Sequence, residues 1–207
     1  MTTAQDGPAK LLPMPSLDGG LPPVPPPELD PYLDAAATCF ARHGIGRTGV
    51  PDIARAVGTS RATVYRQVGT VDQIARLLLA RELHRLLAGL SDSLASASGP
   101  DAVMALMART IRFARGHPVL AKVLTDEPEL IGPFVSRELP DLIARVSSMA
   151  VPVLEWAMDA GLVCRCDPVV LAEFLVRITL SLILAPPTGD LDGFLEFAVL
   201  PVLATGS

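Results

Sequence analysis

Cysteine, histidine and aromatic residues are scarce in this 207-residue chain, and their scarcity excludes several kinds of site. The three cysteines are an odd number without an even disulfide framework, which indicates a reducing compartment. The three histidines are widely separated, and the chain has no HExxH motif, Gly-rich phosphate loop, nucleophile elbow or plausible pair of catalytic carboxylates. Cys164-Arg165-Cys166 lacks the four-ligand spacing of a zinc site. We therefore expect no enzyme activity, no metal and no cofactor.

A long uninterrupted hydrophobic run is also lacking, although half of the residues are hydrophobic. Residues 169–185 come closest to one, but Glu173 and Arg177 interrupt them and Pro186-Pro187 ends them. This pattern is typical of a buried interface helix rather than a membrane span. The N-terminus shows neither an apolar leader segment nor a cleavage signal. Together these features predict a cytoplasmic protein with no membrane partner.

Basic residues are concentrated locally, although the net charge is -5. Residues 32–67 contain only two acidic residues, Asp34 and Asp52. The same stretch contains five arginines: Arg42, Arg47, Arg55, Arg61 and Arg66. A positive segment in an acidic protein is typical of specific nucleic-acid binding rather than uniform coating of DNA.

The positive segment also has the pattern of two short helices joined by a tight turn. An amphipathic stretch, residues 31–42, precedes it and predicts a first helix. Gly49 is a suitable N-cap for a helix over residues 50–57, and Gly58 can take the positive φ that ends this helix. Ser60 is a suitable N-cap for a second short helix, residues 61–67. Paired helices with this spacing cross steeply and predict a DNA-binding helix-turn-helix.

A fourth helix is predicted directly after this motif. Thr70 and Gln73 have the spacing of a capping box, which places the helix start at Val71. Its pattern continues to about residue 95, so the helix has roughly 25 residues and a length of about 37 Å. A helix of that length is long enough to leave one domain and enter another, and we expect it to act as a lever.

Residues 31–80 resemble the tetracycline-repressor (TetR) family. The residues that carry the resemblance are Thr48, Ile53-Ala54, Val57-Gly58, Ser60, Thr63-Val64-Tyr65 and Gln67-Val68. The resemblance implies a three-helix DNA-binding domain, a variable all-helical ligand-binding domain, and dimerisation through the last long helices. Two positions depart from the family pattern. Val71 stands where the family often has a phosphate-binding lysine, and Val68 stands where phenylalanine is commonest.

Base and phosphate contacts are predicted from the helix that begins at Arg61. Arg61 is the first candidate for reading a guanine, and Ala62 is placed near a thymine methyl group. The remaining candidates for DNA contact are Arg47, Thr48, Ser60, Thr63, Tyr65, Arg66 and Gln67. The alternatives are a solvated side chain for each arginine and partial burial for Tyr65. Two copies of this helix would enter successive major grooves of a pseudo-palindromic double-stranded operator about 34 to 36 Å apart.

Outside the motif the sequence divides into two further parts. Residues 1–30 contain many prolines and little periodicity, and we expect a disordered arm, with an arm that reaches DNA or a partner as the alternative. With residues 31–75 as the DNA-binding domain, residues 76–207 form an all-α bundle for ligand binding and dimerisation. Its breaks fall at Gly and Pro residues, and it shows no strand-like alternation.

Two apolar stripes in this bundle predict a dimer interface. They consist of Leu171, Leu175, Ile178 and Leu182, followed by Leu195, Val199 and Val202. The alternative is that both stripes close the core of a single subunit.

Apolar and sulfur-containing side chains predict a pocket for a small hydrophobic effector. The candidates are Met104, Met107, Phe113, Leu124, Phe134, Met149, Val153 and Trp156, and the alternative for each is an ordinary core position. His117, Glu127 and Glu129 lie near predicted helix ends, where they either orient a polar group of the ligand or are solvated.

The sequence therefore predicts a homodimeric transcriptional regulator, a repressor that a small hydrophobic effector releases from its operator. One alternative is an adaptor or small-molecule-binding protein on the same scaffold with weak or no DNA affinity, because Val71 and the acidic net charge weaken the case for DNA. A small-molecule enzyme on the helical bundle is the third hypothesis.

Overall fold

A computed structural model describes residues 22–96 and 99–204 of the protein, with the side chains of residues 90–96 left out. Within these ranges every regular element is helical, which confirms the predicted all-α fold. The helices are α1 (Asp30–His43), α2 (Val50–Val57), α3 (Arg61–Val68), α4 (Val71–Ser96), α5 (Gly99–Gly116), α6 (Pro118–Asp126), α7 (Pro128–Pro133), α8 (Leu139–Asp159), α9 (Pro168–Leu184), α10 (Leu191–Ala198) and α11 (Leu200–Leu203). A 3-10 turn, Pro27–Leu29, precedes α1, and a π-helical turn, Phe134–Glu138, lies between α7 and α8.

The described helices form two compact units, and the first of them contains the predicted DNA-binding motif. This first unit comprises residues 25–79 and 118–141, so α6 and α7 belong to it together with α1, α2 and α3. Helix α1 packs against both α2 and α6. Leu33 and Phe40 of α1 are completely buried, and they share one core with Val119, Val123 and Leu130.

The membership of α6 and α7 differs from the predicted domain boundary at residue 75. Val119, Val123 and Leu130 of this segment belong to the same buried cluster as Leu33 and Phe40 of α1. The burial of apolar surface groups these helices, although they are far apart in the sequence.

The second unit contains α5, α9, α10 and α11, with α4 from Ala80 onward and α8 from Leu142 onward. Helix α5 packs against α9, α10 and α11 around Ile111, Ala172 and Leu195. Asp167 caps the N-terminus of α9 by accepting hydrogen bonds from the N–H groups of Val169 and Val170. None of the described helices is long and apolar enough to cross a membrane.

The predicted N-terminal arm falls partly outside the described residues, which begin at Pro22. Pro22 and Pro25 are buried, and the Pro22 carbonyl lies 2.6 Å from Nε2 of His84. The prediction of a disordered arm therefore does not hold for residues 22–30. The end of the arm packs because the rings of Pro22 and Pro25 bury apolar surface and His84 on α4 binds the Pro22 carbonyl.

Candidate nucleic-acid interface

Helix α2 begins and ends through interactions that the sequence predicted. The Gly49 N–H donates to Oδ2 of Asp52 at 3.0 Å, and this hydrogen bond is the main reason that the pKa of Asp52 lies below its ordinary value. Asp52 also accepts from Arg55 at 3.1 Å. At the other end Gly58 has φ +77°, and the Thr59 N–H donates to the Ala54 carbonyl at 2.9 Å. The left-handed residue turns the chain tightly toward α3.

Helix α3 is fixed by a cap at its start and by two buried valines on its inner face. The Ser60 hydroxyl oxygen accepts a hydrogen bond from the Thr63 N–H at 3.1 Å, which confirms the predicted N-cap. The Ser60 and Thr63 hydroxyl groups are also within hydrogen-bond distance, at 2.9 Å. Val64 and Val68 are buried in the core of the first unit. These contacts set the rotation of α3 about its axis and so decide which side chains point outward.

The outward side of α3 carries five of the predicted DNA-contact residues. We call this surface the reading face, and it consists of Arg61, Ala62, Tyr65, Arg66 and Gln67, all of which are exposed. Positions 61 and 65, like 62 and 66, are four residues apart, so they form two adjacent rows along the helix. Tyr65 is 55% exposed, so more than half of its surface is available to a partner. Thr63 is half-buried and Ser60 is exposed at the helix start.

Thr48 is the predicted contact residue that the structure places inside. It is only 6% exposed, and its hydroxyl donates to the Gly44 carbonyl at 2.7 Å. Its side chain therefore holds the loop between α1 and α2 together, which corrects the prediction of a DNA contact. Arg47 is exposed in the same loop, and its Nε donates to the His43 carbonyl at 2.9 Å.

The start of α4 has the predicted capping box. The Thr70 N–H donates to Oε1 of Gln73 at 2.8 Å, and the Gln73 N–H donates to the Thr70 hydroxyl at 3.3 Å. Val71, where the family often has lysine, is half-buried against the core of the first unit. This helix start therefore offers an apolar side chain where a phosphate-binding cation is common.

Sequence reasoning missed the role of Glu127, between α6 and α7. Glu127 is 2% exposed, and its carboxylate accepts hydrogen bonds from the N–H groups of Ile45 and Gly46 at 2.8 and 2.7 Å. Glu127 is therefore neither a solvated residue at a helix end nor a group that orients a ligand. No local pattern could reveal this role, because 82 residues separate Glu127 from Ile45.

The predicted effector residues do not come together. Met104 and Phe113 line an open cavity of about 930 Å³ in the second unit, beside Arg109 and Arg112. Met107 is buried in the core of that unit. Leu124 and Phe134 belong to the first unit, whereas Met149, Val153 and Trp156 are exposed on α8. The α8 residues lie on an outer surface because Ile143, Leu154 and Met158 supply the buried face of that helix.

The predicted dimer stripes lie mostly inside the second unit. Leu171, Leu175, Leu182, Leu195 and Val199 are buried in its core, and Ile178 packs against that core. Val202 is the exposed member, at 41%. The two stripes close the subunit core because α5 lies against both α9 and α10. This arrangement corrects the prediction that they face a second subunit.

The described residues contain no group of three or more histidine, cysteine or acidic side chains that could hold a metal ion. The Sγ atoms of Cys164 and Cys166 lie 3.8 Å apart, but this pair supplies only two ligands.

The capped α2 and α3, with a buried inner face and a basic outer face, define a helix-turn-helix DNA-binding protein. Residues 33–76 match the family described as bacterial regulatory proteins, tetR family. Residues 33–76 are therefore similar to the DNA-binding region of that family, and the curated relatives are HTH-type transcriptional regulators.

Similar proteins from Mycobacterium tuberculosis include the uncharacterized HTH-type transcriptional regulator Rv1255c, 27% identical over 86% of each chain. The HTH-type transcriptional regulator AlkX from that organism is 27% identical over 83% of this chain and 82% of its own.

Among solved structures, the fatty acid degradation regulator FadR from Bacillus halodurans has a TM-score of 0.62 and 16% identity, covering 86% of this chain and 96% of its own. The TetR family repressor AlkX from Dietzia sp. strain DQ12-45-1b, implicated in biodegradation of n-alkanes, has a TM-score of 0.56 and 21% identity, covering 84% and 98%. At these identities the structural likeness concerns the fold.

Proposed function

We propose that this regulator is a homodimeric repressor that leaves a pseudo-palindromic operator when a small hydrophobic effector binds. The observation that carries the DNA-reading part is the reading face of α3, which is exposed and basic while Val64 and Val68 anchor the helix from behind. Arg61 lies in the first turn of α3, where side chains of a recognition helix meet base edges. Its guanidinium can donate two hydrogen bonds to one guanine.

Contacts to the DNA backbone are assigned to the C-terminal end of the reading face and to two residues beside it. Arg66 and Gln67 are exposed toward the end of α3, and Ser60 is exposed at its start. Arg47 adds a positive charge in the preceding loop. Contacts of this kind position the helix in the groove without reading the sequence themselves.

The proposed dimer uses a different apolar surface from the stripes that the sequence indicated. Val146, Met149, Val153 and Trp156 of α8 follow a spacing of three, four and three residues, and we call them the α8 stripe. Their exposed fractions are 36%, 39%, 62% and 64%. An exposed apolar row with this spacing is suited to packing against the same row of a second subunit. Burial of the row in a dimer removes apolar surface from water.

A hydrophobic effector is supported by what similar proteins regulate. The cavity at Met104 and Phe113 offers apolar side chains, together with the charged residues Asp101, Arg109, Arg112, Asp192 and Glu196. One solved relative regulates fatty acid degradation and another is implicated in biodegradation of n-alkanes. Fatty acids and n-alkanes both have aliphatic chains, and we propose an aliphatic effector for the present protein. The effector lowers DNA affinity only if it binds the released conformation more tightly than the DNA-bound one.

Selection of bound fragments from random double-stranded DNA tests the proposal. We expect a two-fold repeat with half-sites one helical turn apart, and an affinity that falls steeply with salt. Arg61→Ala should relax the preference at one base position in each half-site and weaken binding by about 1–3 kcal/mol. Arg55→Ala is the matched control, because Arg55 is exposed on α2 and pairs with Asp52 outside the reading face. Binding without sequence preference, or equal effects of the two substitutions, would contradict the assignment.

An adaptor that has lost useful DNA affinity is the competing function. The observation that favours it is Val71, whose half-buried side chain brings no charge to the start of α4. The salt dependence of DNA affinity separates the two functions. A DNA-binding regulator neutralises phosphates and releases their counterions, so its DNA affinity falls as salt rises, whereas an adaptor shows no such fall.

A further inference from the structure

Glu127 lies far along the chain from the reading face, yet its carboxylate holds the loop that leads to it. Residues 44–49 connect α1 to α2, and we call them the entry loop. The Ile45 N–H donates to Oε2 of Glu127 at 2.8 Å, and the Gly46 N–H donates to Oε1 at 2.7 Å. Each carboxylate oxygen therefore holds one backbone amide of the entry loop.

The entry loop is shaped to receive this carboxylate. Gly44 has φ +86°, a conformation that other residues rarely adopt. A Cβ atom added at Gly44 would lie 2.6 Å from Cδ of Glu127, so the carboxyl group occupies the space that any other residue would need. Glu127 itself is 2% exposed. A buried carboxylate is stable only when hydrogen bonds replace its hydration, and these two amides provide them.

Glu127 lies outside the three helices of the motif, in a later segment of the first unit. It lies between α6 and α7, in a segment whose two ends continue directly into α5 and α8 of the second unit. Val123 and Leu130, on either side of it, are buried in the core of the first unit. These neighbours hold the carboxylate against the entry loop, and its loss would leave two amide donors without their acceptor.

We propose that Glu127 is a positioning residue for DNA recognition. Its carboxylate sets the conformation of the entry loop and thereby the placement of α2, on which α3 packs. The proposal rests on the proposed DNA-reading function and names a residue that shapes the DNA-binding motif without lying on the reading face.

The first test compares the full-length protein with Glu127→Gln and with Glu129→Gln, a matched control exposed in the same segment. Glutamine offers one oxygen and places an NH₂ group against the second amide donor, so one hydrogen bond is lost. Amide exchange is followed by NMR at Ile45 and Gly46 without DNA. In Glu127→Gln only, we expect exchange to accelerate on the order of tenfold at the amide that faces the NH₂ group, and less at the amide that keeps an oxygen acceptor.

The second measurement is affinity for the selected operator, at a temperature where circular dichroism shows every variant folded. We expect Kd to rise on the order of tenfold in Glu127→Gln, with the same preferred sequence, because the reading face is unchanged. Glu127→Asp, whose carboxylate is one methylene shorter, should fall between the wild type and Glu127→Gln in both measurements. A merely stabilising residue would change the melting temperature without changing Kd among folded molecules.

Unchanged exchange at Ile45 and Gly46, or equal operator affinity of the Glu127→Gln and Glu129→Gln proteins, overturns the proposal. A wild-type chain that selects no DNA overturns the proposed function instead. In that case the exchange measurement still decides whether Glu127 holds the entry loop.

Discussion

Replacement of Gly44 by alanine should cost far more stability than the same replacement at Gly58. Both glycines have positive φ, +86° and +77°, so alanine strains the backbone at each position by about 1–3 kcal/mol. At Gly58 a new Cβ meets no atom within 4 Å, and backbone strain is the whole cost. At Gly44 the Cβ would lie 2.6 Å from Cδ of Glu127, 2.8 Å from Oε1 and 2.8 Å from Oε2, so the carboxylate must move.

The extra cost at Gly44 follows from the hydrogen bonds that this movement breaks. A hydrogen bond to a charged group contributes about 1.5–3 kcal/mol, and the Glu127 carboxylate makes two of them to the entry loop. Loss of one bond, added to the backbone strain, gives roughly 2.5–6 kcal/mol for Gly44→Ala, against about 1–3 kcal/mol for Gly58→Ala. The larger value is a substantial part of the 5–15 kcal/mol that typically stabilises a folded domain.

Urea unfolding followed by circular dichroism measures both costs. Fluorescence of Trp156, the single tryptophan, follows the second unit and serves as a reference. In a Glu127→Ala background the clash disappears, so Gly44→Ala should then cost no more than Gly58→Ala. This double-mutant cycle isolates the contact from the backbone strain. Equal costs for the two glycine variants in the wild-type background would refute the packing of Glu127 against Gly44.

Three further predictions concern the α3 cap, the α2 start and the α8 stripe. Ser60→Ala removes the acceptor for the Thr63 N–H and should lower stability by about 1 kcal/mol, measured by thermal unfolding. Asp52 has a lowered pKa in the folded state, so its contribution is complete above the ordinary value of 3.8 and is lost as pH falls through the lower folded value. The melting-temperature gap between the wild type and Asp52→Asn should therefore narrow below about pH 4, and a constant gap would contradict this assignment. Val153→Asp should dissociate the proposed dimer in analytical ultracentrifugation, whereas Ala144→Asp, on the opposite and exposed side of α8, should not.

Local features of the sequence predicted the first unit most accurately. The caps at Ser60 and Thr70 and the turn at Gly58 each involve residues within a few positions of one another. Their hydrogen bonds depend on residue type and short spacing, and the sequence displays both. The reading face followed from the same local pattern, because two buried valines fix the rotation of so short a helix.

The predictions for the second unit were less accurate because an apolar stripe does not identify its own partner. Leu171 and Leu195 have the periodicity of a buried face, and they are buried, but against the same subunit. The exposed α8 stripe has an equally apolar pattern. Apolar periodicity predicts that a helix face is buried. Which surface buries it depends on all the apolar surfaces of the folded chain.

The amino-acid sequence by itself determined helices α1 to α4, the caps of α3 and α4 and the side of α3 that carries arginine, since these depend on hydrogen bonds and spacing along a few residues. Only the tertiary structure decided that residues 118–141 join the DNA-binding motif, that Thr48 points inward and that Glu127 holds the entry loop. These arrangements bring together groups up to 82 residues apart, and their stability comes from burial and hydrogen bonds that exist only once the chain has folded.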